Sequence, residues 1–233
     1  TALTAVTLTF PLQNLLIAVS VGTSIGVNSL LSRKLGAKDL VAAKKAAGNG
    51  LTLSAISWIF FAIIGLFFTK SFISFFSSDP ELIAMGTQYS SVCLFFSLAI
   101  FIDITCERIL QGTGDTFHPM IIQGTGAIVN IILDPILIFG LFGFPRMGVP
   151  GAAIATVFAQ HVSAVLAIYY VKRNKEIILD RPSFRLEKKT VKDIYAVGIP
   201  SIIMQAIGTI LNTSLNKILI GFGTSAVAVF GIY

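Results

Sequence analysis

The chain has 233 residues, of which 55% are hydrophobic and 12% are charged. Soluble domains carry about 25% charged residues, so this composition excludes an ordinary water-soluble protein and indicates a membrane protein. The net charge of +6 does not indicate a nucleic-acid partner, because the basic residues are concentrated in particular connections between apolar segments.

Six apolar segments are each long enough to cross a hydrocarbon core of about 30 Å. None resembles a cleaved signal peptide, because the apolar runs are too long and recur along the chain. The segments lie approximately at residues 2–31, 46–68, 89–110, 120–142, 152–171 and 199–222. The sequence therefore predicts an all-α polytopic membrane protein.

Lysine and arginine are distributed unequally between the two sides of these segments. The first connection holds five, the third holds Arg108 and the fifth holds eight, whereas the opposite side holds Lys70 and Arg146. Basic residues accumulate in cytoplasmic loops. The pattern predicts a multi-pass protein of the plasma membrane with its Lys/Arg-rich connections in the cytoplasm.

The first two segments carry packing signals rather than charges. Pro11 removes a helical hydrogen bond and predicts a bend. Gly22 and Gly26 have the small-xxx-small spacing that allows close helix contact, within the chain or, as an alternative, in a dimer. The second segment has no ionisable residue in its body and is interpreted as lipid-facing.

The third segment ends in a cluster of charged residues. Asp103 and Glu107 are four residues apart and share a helix face, and Arg108 follows at the predicted cytoplasmic boundary. Glu107 and Arg108 are consistent with a cytoplasmic gate or with an ion pair that only orients the helix. Either Asp115 or Thr116 is the candidate cap of the next helix.

The fourth segment places an acid inside an apolar run. Asp134 lies ~21 Å beyond Met120 along the helix axis, where a carboxylate costs about 2.5–3.5 kcal/mol on insertion scales. Gln123 and Asn130 extend the same helix face, and Pro135 predicts a bend beside the acid. This stripe, the buried acid and the bend together predict a helix that faces a polar cavity.

The last two segments also carry polar side chains near the predicted middle of the membrane. Gln160 and His161 are candidate cavity residues of the fifth segment, with a helix-to-helix hydrogen bond as the alternative for His161. The sixth segment has Gln205, Asn212 and Asn216 at spacings of seven and four residues. These spacings place them on one face, which is predicted to line the same cavity.

Four short motifs together closely resemble those of the multidrug and toxic compound extrusion (MATE) transporters. Each motif is weak alone, but their combination spans most of the chain. They are Ser32-Arg33-x-Leu-Gly36, Arg108-x-Leu-Gln-Gly-x-Gly-Asp-Thr-x-x-Pro-Met120, Asn130-x-x-x-Asp134-Pro and Gly148-Val-Pro-Gly151-Ala-Ala-Ile-Ala-Thr156.

The resemblance implies a transporter whose two helical lobes form an inverted V around a central cavity. Residues 1–175 would be helices two to six of the first lobe, residues 176–198 the cytoplasmic linker, and residues 199–233 the first helix of the second lobe and the start of the next connection. The chain would thus be about half of a twelve-helix protein, and function would require the remainder.

The resemblance also implies a coupling site. Asp134 and Asn130 match the family's cation site in the first lobe, with Thr156 as the candidate hydroxyl and H⁺ or Na⁺ as the coupling ion. The family's second acid lies on helix one, which this sequence does not contain. No cofactor is expected, and the expected partners are the bilayer and a small organic, cationic substrate.

Two alternatives remain at this stage. The first is a flippase or exporter of lipid-linked or amphiphilic cargo, which needs basic residues inside its cavity to hold phosphate groups. The second is a membrane-embedded enzyme, which needs an activated nucleophile or clustered metal-binding acids. Because neither pattern stands out in the sequence, a secondary antiporter without enzymatic activity is the favoured prediction.

Overall fold

The computed structural model describes the backbone of residues 2–76 and 79–220 and the side chains of residues 9–74, 79–208 and 211. Eight α-helices and two short 3₁₀ turns make up the regular structure of this part of the chain, and it contains no strand. The all-α prediction is confirmed. The helices are α1 (Ala2–Gly36), α2 (Leu40–Phe67), α3 (Thr69–Phe76), α4 (Pro80–Phe95), α5 (Leu98–Gly112), α6 (Phe117–Phe139), α7 (Val149–Arg173) and α8 (Lys188–Ile220).

Several of these helices have the length and composition of membrane spans. Within the described residues, α1, α2, α6 and α7 each qualify alone. Helices α4 and α5 qualify only as a pair, which would form a fifth span with a bend of 46°.

The break between α4 and α5 lies inside the third predicted segment, which is therefore not one continuous helix. Ser97 Oγ donates to Leu94 O at 2.7 Å, and Trp58 Nε1 donates to Phe95 O at 2.8 Å. These bonds satisfy carbonyl groups that a continuous helix would have used. No proline or glycine marks the break, so the sequence provided no strong signal for it.

The core lies where the last turns of α1 and α5 meet the first turns of α2. Val27, Leu31, Ala47 and Ile109 are fully buried there. A second cluster includes Phe61, which is 1% exposed and packs against α5. The interpretation of the second segment as lipid-facing is therefore wrong for this face of α2.

Three buried hydroxyl groups connect the same helices. Thr105 Oγ1 of α5 lies 2.9 Å from Ser24 Oγ of α1 and 2.6 Å from Ser54 Oγ of α2. Because buried polar groups are costly unless they are hydrogen-bonded, this chain of hydroxyls fixes the relative positions of the three helices.

The glycine pair of α1 packs against α8. A Cβ atom at Gly26 would lie 2.2 Å from Ile194 O, and one at Gly22 would lie 2.7 Å from Ile202 N. Gly198 of α8 lies in the same contact, where an added Cβ atom would be 3.2 Å from Gly22 O of α1. The spacing thus serves close helix packing within the chain.

The segment before α8 is fastened to α2 by a buried asparagine. Asn49 Nδ2 donates to Ser183 O at 3.2 Å and to Arg185 O at 3.0 Å, and Glu187 N donates to Asn49 Oδ1 at 2.9 Å. Helix α8 begins at Lys188, so residues 188–198 of the predicted linker are helical and continuous with the last apolar segment.

Both prolines predicted to bend helices lie inside helices that continue past them. Pro11 is within α1 and Pro135 is within α6. The bends themselves stay predictions.

Candidate functional site: a polar cavity between α5, α6 and α7

Helices α6 and α7 form a closely packed hairpin that positions the polar stripe of α6. Gly140 ends α6 in the left-handed region at φ 74°, which glycine adopts without steric cost. Met147 N then donates to Leu137 O at 3.1 Å as the chain returns. Further along the hairpin, a Cβ at Gly126 would lie 2.2 Å from Ser163 Oγ, so the two helices nearly touch at this level.

A cavity of about 270 Å³ lies where this hairpin meets α5. Its single ionisable group among the described lining residues is Asp103, and most of the others are amides, hydroxyls or small residues. The lining residues are Asp103, Gln123, Gly126, Ala127, Asn130, Thr156, Ala159, Gln160 and Ser163. The structure thus brings together four residues predicted to form the site, Gln123, Asn130, Thr156 and Gln160.

Gln123 connects the cavity to a buried carboxylate on α5. Its Nε2 donates to Glu107 Oε2 at 2.9 Å. Glu107 is 5% exposed, and its other oxygen, Oε1, forms no hydrogen bond in the described structure. The predicted partner of Glu107, Arg108, instead donates from Nη1 to Gln111 Oε1 at 2.8 Å.

Asp134 lies one helical turn beyond Asn130 on α6 and is not among the residues that line this cavity. Its Oδ1 atom is buried and has no hydrogen-bond partner in the described structure. The Nδ2 atom of Asn130 is likewise buried and without a partner. The two side chains predicted to form one cation site are therefore close along the helix but not joined by a hydrogen bond.

A smaller cavity of about 60 Å³ adjoins the first through shared residues. Thr156 and Gln160 line both, and the smaller one adds Gln13 of α1, Cys93 of α4 and Ser97. The broken span α4–α5 therefore contributes its kink residue to the polar interior. This gives the kink a position beside the site.

A larger cavity, about 600 Å³, lies elsewhere, between α2, α5, α7 and the segment before α8. Its wall is mainly aliphatic, and Lys172 is its one charged residue among those described. It lacks the converging polar groups that orient a ligand, so we place the candidate site in the smaller polar cavity.

Two other predicted cavity residues, His161 and Gln205, do not line this cavity. His161 is exposed and its Nδ1 lies 2.7 Å from Val157 O of its own helix. Gln205 is on an exposed part of α8 and is not among the residues lining either polar cavity. The side chains of Asn212 and Asn216 lie outside the described residues.

Asp115 has a structural position at the start of α6. It accepts a hydrogen bond from His118 N at 3.1 Å and pairs with the His118 ring. Partial burial opposes its charge, but the bonds from His118 outweigh that effect and hold the pKa of Asp115 below its usual value. The predicted role as a helix cap is consistent with this geometry.

Sequence reasoning missed Ala159 and Ser163 as lining residues and placed Asp103 in a gate or structural motif. The spacing of Thr156, Ala159, Gln160 and Ser163 follows the i, i+3, i+4, i+7 pattern of one helix face, so the α7 wall was detectable. No comparable signal indicated that Asp103 would face α6, because α5 and α6 are separate helices.

Comparison with known proteins identifies the family of the chain. The family model described as MatE matches residues 1–136, more than half of the chain. The chain belongs to the MATE family. It is 28% identical over 99% of its length to the probable multidrug resistance protein YoeA of Bacillus subtilis, of which it covers 51%. It is 29% identical, over 99% of its length and 51% of the relative, to the FAD transporter of Shewanella oneidensis.

Solved MATE structures share the fold. A crystal structure of MATE in the straight conformation superposes with a TM-score of 0.89 at 32% identity, and the match covers 99% of this chain and 51% of that one. The chain thus spans about half the length of the relatives it matches. The predicted helical transporter fold, with this chain as roughly half of it, is confirmed.

Proposed function

We propose that the chain is part of a cation-coupled antiporter that exports small organic cations by alternating access. The observation that carries this proposal is the cavity between α5, α6 and α7. Polar side chains from three helices converge there, and the one ionisable group among its described lining residues is the carboxylate of Asp103. Family membership supports transport, and the sign of the cavity's charge supports a cationic ligand.

The proposed organisation follows the family resemblance. Residues 1–175 form helices two to six of the first lobe, residues 176–198 the linker, and residues 199–233 the entry into the second lobe. The protein resides in the plasma membrane with its basic connections in the cytoplasm, and the remainder of the transporter completes the central cavity. The proposal invokes no cofactor besides the coupling ion, which is H⁺ or Na⁺.

Coupling follows from the cost of a carboxylate in an apolar helix. Asp134 of α6 is stabilised when a cation or proton neutralises it. Ion binding shifts the equilibrium between two conformations of the transporter only if the two conformations bind that ion with different affinity. Pro135 next to the acid supplies the weak point of the helix. Ion binding at Asp134 and Asn130 therefore favours one state of the cavity, and ion release favours the other.

Other cargo classes fit the cavity less well. A lipid-linked pyrophosphate or a dinucleotide needs lysine or arginine to hold its phosphates, whereas the described lining contains an acid and no base. One relative is named an FAD transporter, so anionic cargo is a necessary comparison in the transport assay.

The test uses the complete transporter in proteoliposomes, with the Na⁺ and pH gradients imposed separately. We expect ethidium export driven by one of the two gradients, and we expect Asp134→Asn to abolish the coupling while the purified protein keeps its melting temperature. Asp39→Asn is the matched control, because Asp39 caps α2 through Ala42 N and asparagine caps equally well.

Two results would contradict the proposal. One is normal gradient-driven export by the Asp134→Asn variant. The other is transport of FAD, but not ethidium, by the wild-type protein.

A further inference from the structure

The cavity of about 600 Å³ between α2, α5, α7 and the segment before α8 is walled by hydrocarbon, and we call it the aliphatic cavity. Apart from Thr52 and Lys172, every described lining residue is aliphatic, aromatic or cysteine. Apolar cavities exclude water, and walls that face empty space lose the dispersion contacts of a packed interior. An apolar occupant would therefore stabilise this part of the molecule.

The aliphatic cavity is built into the fold. The segment at residues 177–184 contributes one of its walls, and two side chains of α2 fasten that segment. Thr52 Oγ1 donates to Phe184 O at 2.9 Å, and Asn49 Nδ2 donates to Ser183 O at 3.2 Å. At the beginning of the segment, Ile177 is 1% exposed and belongs to the packed core. The space is thus largely preformed, as ligand cavities usually are.

The aliphatic cavity is accessible from the surface of the helix bundle. Two of its lining side chains, Ile168 and Ile178, are 39% and 68% exposed. Ile168 belongs to α7, which has the length and composition of a membrane span, so its exposed side faces lipid. None of the described lining residues belongs to α8, which packs against α1 instead. The acyl chains of the bilayer therefore have direct access to the cavity.

Lys172 places a positive charge on this hydrocarbon surface. It is the one charged residue among the described lining residues, it is exposed, and it forms no salt bridge within the described part of the chain. Nearby on α7, Arg173 Cζ lies 5.2 Å from the centroid of the Tyr169 ring. Tyrosine and basic side chains at a helix end are typical of the headgroup level of a bilayer, where lysine and arginine attract anionic lipids.

The volume fits one acyl chain. A methylene group occupies nearly the volume of a water molecule, about 30 Å³, so the cavity of about 600 Å³ holds roughly 20 methylene groups. We propose that the aliphatic cavity binds one acyl chain of an anionic phospholipid, whose phosphate lies at Lys172. This inference goes beyond the proposed transport function and depends on neither the coupling ion nor the cargo.

Native mass spectrometry of the complete transporter measures the affinity of the first bound lipid. Palmitoyl-oleoyl phosphatidylglycerol is the anionic probe, and phosphatidylcholine with the same chains is the neutral comparison. We expect phosphatidylglycerol to bind about fivefold more tightly, because one lysine near an anionic headgroup contributes about that factor. Lys172→Gln is expected to abolish the preference. Lys188→Gln is the matched control, since Lys188 is exposed in the same basic stretch but does not line the cavity.

The acyl chain has a separate readout. Ala55→Phe places a ring in the aliphatic cavity and is expected to weaken the binding of both phospholipids by roughly tenfold or more, since each displaced methylene group costs about fourfold in affinity. Ile56→Phe is the matched control, because Ile56 is 47% exposed on α2 and does not line the cavity.

A second lipid covers the case in which Ala55→Phe does not fold. Dihexanoyl phosphatidylglycerol keeps the anionic headgroup but shortens both chains. We expect the wild-type protein to bind it at least tenfold more weakly than the long-chain lipid.

The proposal is overturned if the two long-chain phospholipids bind equally, or if Lys172→Gln and Lys188→Gln weaken phosphatidylglycerol binding equally, which would indicate diffuse attraction to the basic stretch. It is also overturned if Ala55→Phe lowers the melting temperature but not the lipid affinity, because the remainder of the transporter would then fill the cavity. Failure of the proposed function looks different, because it appears in the gradient-driven transport assay and leaves these lipid affinities unchanged.

Discussion

Helices α1 and α6 are both long and apolar and each contains a proline, yet they occupy opposite environments. Of the residues in the most apolar stretch of α1, 56% are buried, whereas for α6 the share is 11%. The packed side of the molecule, formed by α1 with α2, α5 and α8, therefore differs sharply from the open side formed by α6.

The difference lies in the residues that accompany the apolar ones. Gly22 and Gly26 let the backbone of α8 approach α1 directly, and helix association in membranes depends on such close packing because lipid is as apolar as the side chains. Helix α6 has instead a polar stripe and large exposed side chains such as Ile131 and Phe139. Hydrophobicity thus indicates that a helix inserts into the membrane, whereas small residues indicate which of its faces packs against another helix.

The largest expected contrast comes from equal truncations on the two sides. Phe61→Ala removes a ring that is 1% exposed and packs beside Phe101, and such core truncations cost about 3–5 kcal/mol. Phe139→Ala removes a ring that is 61% exposed and is expected to change stability little. Thermal unfolding of both variants in detergent measures the difference, and equal losses would contradict the comparison.

Glycine replacements are expected to have opposite signs on the two sides. A Cβ at Gly26 would lie 2.2 Å from a backbone oxygen of α8, which cannot rotate away, and overpacking of this kind costs about 1–3 kcal/mol. Gly124 of α6 has nothing within 4 Å of the added atom, so Gly124→Ala is expected to stabilise by up to about 1 kcal/mol through helix propensity. The melting temperatures of the two alanine variants test these signs, and stabilisation by Gly26→Ala would show that α1 and α8 do not pack as described.

Two asparagines provide a third pair. Asn49→Ala removes the bonds that fasten the segment before α8, and loss of buried partners costs about 1–3 kcal/mol. Limited proteolysis is expected to cut residues 175–187 faster in this variant. Asn130→Ala is the matched change on α6, where Nδ2 has no partner in the described structure. It is expected to leave the stability and the rate of proteolysis near those of the wild type.

The smallest effect concerns the exposed ion pair that accompanies this fastening. The hydrogen bond and charge of Lys45, with Thr190, hold the pKa of Glu187 below its ordinary value of 4.5. A lowered pKa in the folded protein stabilises the fold above that ordinary value and loses this contribution as the pH falls through the lowered pKa. Melting temperatures measured below about pH 4.5 are therefore expected to fall less steeply for Glu187→Gln than for wild type.

High salt is expected to reduce this difference in melting temperature between wild type and Glu187→Gln, because exposed ion pairs are screened. An unchanged pH profile in Glu187→Gln would show that the pair does not contribute.

The predictions made from sequence succeeded where a signal lies within one helix. The stripe of Gln123 and Asn130 on α6 is a matter of periodicity, and both residues line the cavity. The cavity role of His161 stays a prediction, since its side chain is exposed and does not line the polar cavity between α5, α6 and α7. The sequence did not indicate the break inside the third segment, because the break at Phe96 depends on Ser97 and on Trp58 from another helix.

By itself the sequence determined that this protein is a helical membrane protein of the MATE family, because hydrophobicity, charge asymmetry and short motifs are local properties. Only the tertiary structure decided that Asp103 faces the polar stripe of α6 while Asp134 lies outside that cavity. Periodicity specifies which residues share a helix face, but the neighbour that a face meets depends on the packing of all the helices together.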